Sequence, residues 1–445
     1  MKICCVVPQG PCNLIFQPIG LAYVVACIEK KHEVTFIDCQ VDSLNNISFS
    51  NFDVILITIP YSASANEAYR IALKAHEENE KIKIIAGGPH ACVQPEECLK
   101  FVDIVIVGEG EKIIPILLER NYKNGIYKVP FITDLDSVPF PARHLLPMSK
   151  YFSSAKKGLA SRNTRVPWTS IITSRGCPYN CIFCSIHLSM GRKWRYRSAE
   201  NVIEELDEIV NKYKIGLVYF EDDNFTYDIS RVDKICELII NKRLKFEWSV
   251  PNGIRPENLN KEILIKMKKA GCKELWFAPE SGVQRVINEV IGKKLELSNL
   301  ISVIHNCIEV GIQPCCFFVI GSIGETLEEM KETVRFAKYL EKLGVKYILN
   351  IATPLYGTRL YNIAKQKCYL RDIDEKKLMY NSQLYIDTPE FKAEDVLEIY
   401  KSVYNQEPIW YTNIKRLIKK IFKNEKQIKK ILRILRILKA KIVNL

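Results

Sequence analysis

Short runs of apolar, largely β-branched residues at 2–7, 33–37, 53–59, 81–86 and 103–107 alternate with longer stretches, such as 20–31 and 64–80, whose apolar positions recur at helical spacing. Strands without a polar face, separated by amphipathic helices, predict a parallel, doubly wound sheet. The last three runs are followed by short loops, Thr58-Ile-Pro-Tyr61, Gly87-Gly-Pro-His90 and Gly108-Glu-Gly-Glu111. Sheets of this kind bind ligands beyond the carboxyl ends of their strands, and glycine there lets a large flat ligand approach the backbone. No G-x-G-x-x-G follows the first strand, so the pattern does not predict a dinucleotide site.

Prolines at 130, 139, 141 and 147 then break both periodicities, as expected of a rigid connector. Six further apolar runs follow at 170–174, 216–220, 245–250, 274–278, 314–320 and 346–351, again separated by helical patterns. They predict a second α/β unit. Domain boundaries are expected at 1–128, 129–165 (the connector), 166–365 and 366–445. The last of these regions reads as helical.

Chemistry enters with Gly176-Cys-Pro-Tyr-Asn-Cys-Ile-Phe-Cys184, just beyond the first strand of the second unit. Cys177, Cys181 and Cys184 supply three thiolates on one loop and no evident fourth. A structural zinc site is closed by four ligands, and an electron-carrying cubane is held by four cysteines. Three in one loop leave one iron open to a substrate. This C-x3-C-x2-C loop, with Gly-Cys-Pro before it and the aromatic Phe183 inside it, resembles the radical SAM superfamily. That resemblance implies a [4Fe–4S] cluster on the three cysteines. Its open iron would chelate S-adenosylmethionine (SAM) and cleave it reductively to a 5′-deoxyadenosyl radical. It also implies a partial (β/α)6 barrel for the second unit.

Placed directly before such a core, the first unit resembles the cobalamin-binding, Rossmann-like domain of the cobalamin-dependent radical SAM class. Gly87, Gly88 and His90, and Gly108, Glu109 and Gly110, carry that likeness, and Thr58 and Tyr61 join them as implied cobalamin contacts. The D-x-H-x-x-G motif that places histidine under cobalt is absent. His90 is therefore expected to line or pack against the corrin rather than ligate the metal. In the barrel, Glu221-Asp-Asp-Asn224 stands where relatives meet the SAM amino group, which points to Asp222 and Asp223. Glu280 and Ser281 stand at the implied ribose position, and Arg255 matches the SAM carboxylate by charge. No residue is singled out as the catalytic hydrogen or proton donor.

The two cofactors together imply a radical enzyme that methylates an unactivated carbon of a small-molecule or lipid-like substrate. Rearrangement or ring closure assisted by cobalamin is the alternative, and a non-catalytic cobalamin or redox sensor is a second. An electron donor such as flavodoxin or ferredoxin is implied as partner. The 445 residues carry a net charge of +13, but residues 414–445 hold twelve Lys and Arg against one acid, Glu425. The rest of the chain therefore carries only +2. Apolar positions at helical spacing make this stretch a basic amphipathic helix, suited to an anionic lipid surface or to packing on the core. No nucleic-acid-binding module accompanies the charge. Sixteen cysteines without the layout of a secreted disulfide framework, and no signal-peptide pattern, predict a reducing cytoplasm, with peripheral contact at the inner membrane surface through the tail.

Overall fold

A computed structural model describes residues 1–10, 15–44, 47–120, 122–156, 166–371 and 385–404. The first sheet contains β1 (Lys2–Val7), β2 (Glu33–Asp38), β3 (Val54–Thr58), β4 (Lys83–Gly87), β5 (Ile104–Val107) and β6 (Gly125–Lys128). Its order is β2-β1-β3-β4-β5-β6, and every pair is parallel. The chain reverses direction of travel across the sheet between β1 and β3, which opens a crevice at the strand ends there. Successive residues of β1 feed opposite cores: Cys4 and Val6 pack on one face, Ile3, Cys5 and Val7 on the other. The adjacent Cys4 and Cys5 are thus small apolar fillers. The edge strand β6 has no counterpart among the apolar runs. Its four residues are half-buried or exposed, so they lack the hydrophobic signal of a central strand.

The second sheet is built from β7 (Trp168–Ile171), β10 (Leu217–Phe220), β11 (Glu247–Ile254), β12 (Cys272–Glu280), β13 (Gln313–Ile320) and β14 (Lys346–Ile351). They lie in sequential parallel order, β7 at one edge and β14 at the other, as expected of a partial barrel. A two-stranded antiparallel ribbon, β8 (Ser174–Arg175) with β9 (Arg195–Tyr196), brackets the cysteine loop. At the far edge the helix Ala393–Tyr404 covers β14, and its last side chain bonds both backbone groups of Leu349 (2.7 and 3.0 Å). Among the described residues no helix is long and apolar enough to cross a membrane. The basic stretch 414–445 lies outside them.

The proline-punctuated connector is more than the spacer expected. Arg143, 1% exposed, pairs with the fully buried Glu205 (2.6 Å) and donates to the carbonyl of Ser170 (2.7 Å). Arg197 closes on the same carboxylate from the other side. Tyr151 reaches back to Asp38 at the end of β2 (2.6 Å), and Gln17 bridges Trp168 and Thr169 (2.9 and 2.7 Å). These contacts tie the two sheets together through β7. A carboxylate buried between two guanidinium groups leaves a large uncompensated charge when one partner is removed. Arg143→Leu should therefore lower unfolding free energy by about 3 kcal/mol, read from denaturant unfolding. An unchanged midpoint would show that the triad does not hold the connector.

Candidate functional site

The loops beyond β3, β4 and β5 wall a cavity of about 860 Å³, counting its open mouth. Thr58, Gly87, Gly88, Gly108, Glu109 and Gly110 all line it, as the sequence suggests. Gly88 has φ +96°, and a Cβ there would sit 2.9 Å from Thr58 Oγ1 and 3.0 Å from the Ile59 nitrogen. Only glycine keeps this wall open and unstrained. The opposite wall comes from the second unit: Ile172, Arg175, Ser189 and Met190. No pattern in the sequence marks these four, because they join the cavity only when the sheets dock. The lining is mostly apolar, suited to a large, flat, partly hydrophobic ligand.

Tyr61 and His90 do not line this cavity. Tyr61 pairs instead with Phe16, ring centroids 5.9 Å apart. His90 is 3% exposed and has both ring nitrogens engaged, Nε2 with the Tyr69 hydroxyl (3.1 Å) and Nδ1 with Ser62 Oγ (2.9 Å). Burial lowers its pKa to about 4, so the ring is neutral. It braces the Gly87–His90 turn through Tyr69 and Ser62.

The cysteine loop is clamped from several elements. Cys177 donates its backbone N–H to Gly191 (3.3 Å), Ile182 to Ile291 (3.0 Å), and Leu360 to Ile182 (2.9 Å). Gly176 has φ +84°, and a Cβ would meet the Lys193 carbonyl at 2.5 Å. The three thiols are half-buried and unbonded to one another. Burial raises the pKa of all three, Cys184 to about 12, so the donor set calls for a bound cation to hold it as thiolates. Three cysteines on one loop are one ligand short of a closed structural zinc site and would leave one iron of a cubane cluster open.

The carboxylates after β10 are both engaged within the protein. Asp222 is 1% exposed and accepts from the Thr173 nitrogen (2.7 Å), Thr173 Oγ1 (2.6 Å) and Ser174 Oγ (2.6 Å). It shapes the turn into β8. Asp223 accepts from the Gly176 nitrogen (2.8 Å), and burial raises its pKa to about 7. Ser281 is also turned inward, onto Thr333 Oγ1 (2.8 Å). Arg255 is committed to Glu257, to the carbonyls of Lys293 and Lys294, and to the face of Tyr179. Phe183 is half-buried and packs on the barrel core.

Glu280 ends β12 in a left-handed conformation, φ +69°, and pairs with Lys293 at 2.9 Å. Lys293 is the only buried lysine among the described residues. Burial pushes the ammonium pKa down, but the pull of the Glu280 carboxylate, and of Cys181 when it is a thiolate, outweighs it, so the group stays charged beside the cysteine loop. No sequence signal separates Lys293 from its neighbour Lys294. Glycine at 292 and the helix before it bring one of the two inward.

A parallel α/β sheet with a glycine-walled cavity, facing a partial barrel with three thiols on one loop, defines a protein that holds a broad planar cofactor against an iron–sulfur cluster. Residues 171–337 match the Radical SAM superfamily and residues 12–118 the B12 binding domain. An uncharacterized methyltransferase, PH0819, of Pyrococcus horikoshii is 31% identical over 92% of this chain and 90% of its own. The cytidylyl-2-hydroxyethylphosphonate methyltransferase of Streptomyces wedmorensis is 26% identical over 86% of this chain and 84% of its own. The cobalamin-dependent SAM radical enzyme OxsB, solved with aqua-cobalamin and SAM, superposes with a TM-score of 0.68 at 17% identity, over 99% of this chain and 71% of that one. The chain belongs to the cobalamin-dependent radical SAM family, among methyltransferase relatives, and its cofactors are a [4Fe–4S] cluster, SAM and cobalamin.

With both nitrogens of His90 spent on Tyr69 and Ser62, cobalamin should bind without histidine from this domain. Bound cob(II)alamin should give an EPR spectrum with no nitrogen hyperfine splitting from histidine, identical in wild type and in His90→Ala. Nitrogen splitting that disappears in the variant would place His90 under the cobalt after all.

Proposed function

We propose that this protein methylates an unactivated carbon of a small-molecule or lipid-like substrate. The observation that carries the reading is the shared wall. Arg175, the residue before Gly176 and Cys177, lines the glycine-walled cavity, so the planar cofactor and the cluster face a common space. When bound, the cluster and SAM would supply a hydrogen-abstracting species, and cobalamin would supply the methyl group. The chain itself has three tasks. The glycines at 88 and 108 let the planar ligand approach the strand ends. The apolar lining around Ile172 and Met190 excludes water from the space where a carbon centre must be protected. The Glu280–Lys293 pair, 2.9 Å apart beside the cysteine loop, would receive the polar ends of SAM, with its carboxylate as a second partner for the Lys293 ammonium.

Two measurements test this. Anaerobic turnover with reconstituted cluster, reductant and cobalamin should yield both 5′-deoxyadenosine and S-adenosylhomocysteine, the latter only with cobalamin. Deoxyadenosine alone would move the reading to rearrangement or ring closure, and neither product, with all three cofactors bound, to a sensor. For the binding roles, Lys293→Met should weaken SAM binding to the cluster-loaded protein by about 10- to 100-fold, the range of a charge-assisted hydrogen bond. Decarboxylated SAM should bind wild type and variant alike. An equal loss for both ligands would remove Lys293 from the carboxylate.

A further inference from the structure

Both ends of the cysteine loop belong to the cobalamin cavity. Arg175 lines the cavity and is followed at once by Gly176 and Cys177. Beyond Cys184 the short helix Ile186–Ser189 leads into Met190, and Ser189 and Met190 both line the cavity. The two ends touch. A Cβ on Gly176 would sit 2.9 Å from the Met190 carbonyl and 3.0 Å from that of Gly191. Cys177 donates its N–H to Gly191, and Arg195 holds the Met190 carbonyl (2.7 Å). Between these ends, residues 176–185 form neither helix nor strand. The loop therefore takes its shape from what it touches rather than from a backbone ladder of its own.

The facing wall closes the circuit. Glu109 and Glu111, on the loop after β5, line the cavity from the first sheet and pair with Arg175 at 3.1 and 2.7 Å. The helix Pro89–Val93, which starts at the Gly88 turn, packs against the helix Ile186–Ser189. A ligand that fills the cavity thus bears on Arg175 and Ser189 at the same time as on the glycine turns. Among the described residues Arg175 is the only cation paired with Glu111, and both are at most 7% exposed. An Arg175 that leaves its seat strands a buried carboxylate, so its position has one well-defined state.

We propose that cobalamin and the iron–sulfur cluster bind cooperatively to this protein, with Arg175 as the positioning residue that couples them. The inference rests on the cavity holding cobalamin and on Cys177, Cys181 and Cys184 holding the cluster. Whichever cofactor enters first orders the loop that both use, and the second meets a loop already in place. Linkage makes the effect reciprocal: the factor by which the cluster tightens cobalamin equals the factor by which cobalamin tightens the cluster. No bond or electron is exchanged between the two sites. A chain that lacks cobalamin therefore holds its cluster less firmly, which ties radical chemistry to the presence of the second cofactor.

The test is anaerobic equilibrium dialysis of hydroxocobalamin against the full-length protein, cluster-free and cluster-loaded. The loaded wild type should bind about 5- to 150-fold more tightly. Equal affinities would overturn the proposal, whatever any variant does. Arg175→Met with Glu111→Leu removes one buried charge of each sign, leaves Glu109 with Arg195, and should bring the two affinities close together. A wild-type ratio in this variant would remove Arg175 as the coupling residue. Hydrogen exchange reads the loop directly. Hydroxocobalamin added to the cluster-free wild type should slow exchange across residues 176–191 and leave the helix Ala393–Tyr404 unchanged. Equal slowing in both segments, or none in the loop, would overturn the shared ordering. Absence of bound cobalamin from both forms would instead remove the cavity assignment beneath the proposal, and iron content of the loaded form checks the cluster separately.

Discussion

Two arginines of one ribbon, Arg175 on β8 and Arg195 on β9, sit opposite each other in register and both reach across to Glu109. Arg175 bonds Glu109 at 3.1 Å and Glu111 at 2.7 Å, and Arg195 bonds Glu109 at 2.8 Å. Glu109 also accepts from the Ile132 nitrogen (2.5 Å), while Arg195 donates to the carbonyls of Ile132 and Met190 (2.6 and 2.7 Å). All four charged side chains are at most 7% exposed. This network joins the loop that walls the cobalamin cavity to the residue that precedes the cysteine loop. The spacing between the two cofactor sites therefore depends on it.

Such a network adds geometry more than stability. Desolvating four charges costs much of what their attraction returns, so an apolar interface of the same shape would hold the sheets about as well. It would not hold them in one register. Fixed forks of guanidinium donors accept only one arrangement of carboxylates, and a buried pair that slips is left uncompensated. The Arg143–Glu205–Arg197 triad works in the same way, and Tyr23 joins the two networks, its hydroxyl on Arg197 (3.3 Å) and its ring under Arg175. Two buried ionic locks thus lie beside the strand that leads into the cysteine loop.

A loop that must hold three thiols in place is braced from outside by Arg192, Arg255 and Arg359, because its inside is reserved for the cluster. Arg255 is balanced by Glu257, whereas Arg192 and Arg359 donate to carbonyls and have no carboxylate partner among the described residues. The positive rim is thus a by-product of how the loop is held.

The alternation of apolar runs and helices was enough for both parallel sheets, because buried β-branched strands have few other solutions. The cysteine spacing and the glycine loops at 87–88 and 108–110 were legible for a local reason: each needs a particular residue at a particular backbone position. Roles that depend on which way a side chain turns were not. Asp222, Ser281 and Arg255 carry chemistry suited to SAM, and the fold engages them with Thr173, Thr333 and Glu257. His90 spends both nitrogens behind its turn. Lys293, unremarkable in the sequence beside Lys294, becomes the buried cation at the cysteine loop. Local sequence determines backbone shape and which chemical groups are available. Only the docking of the two sheets decides which of those groups find partners in the protein and which are left for a ligand.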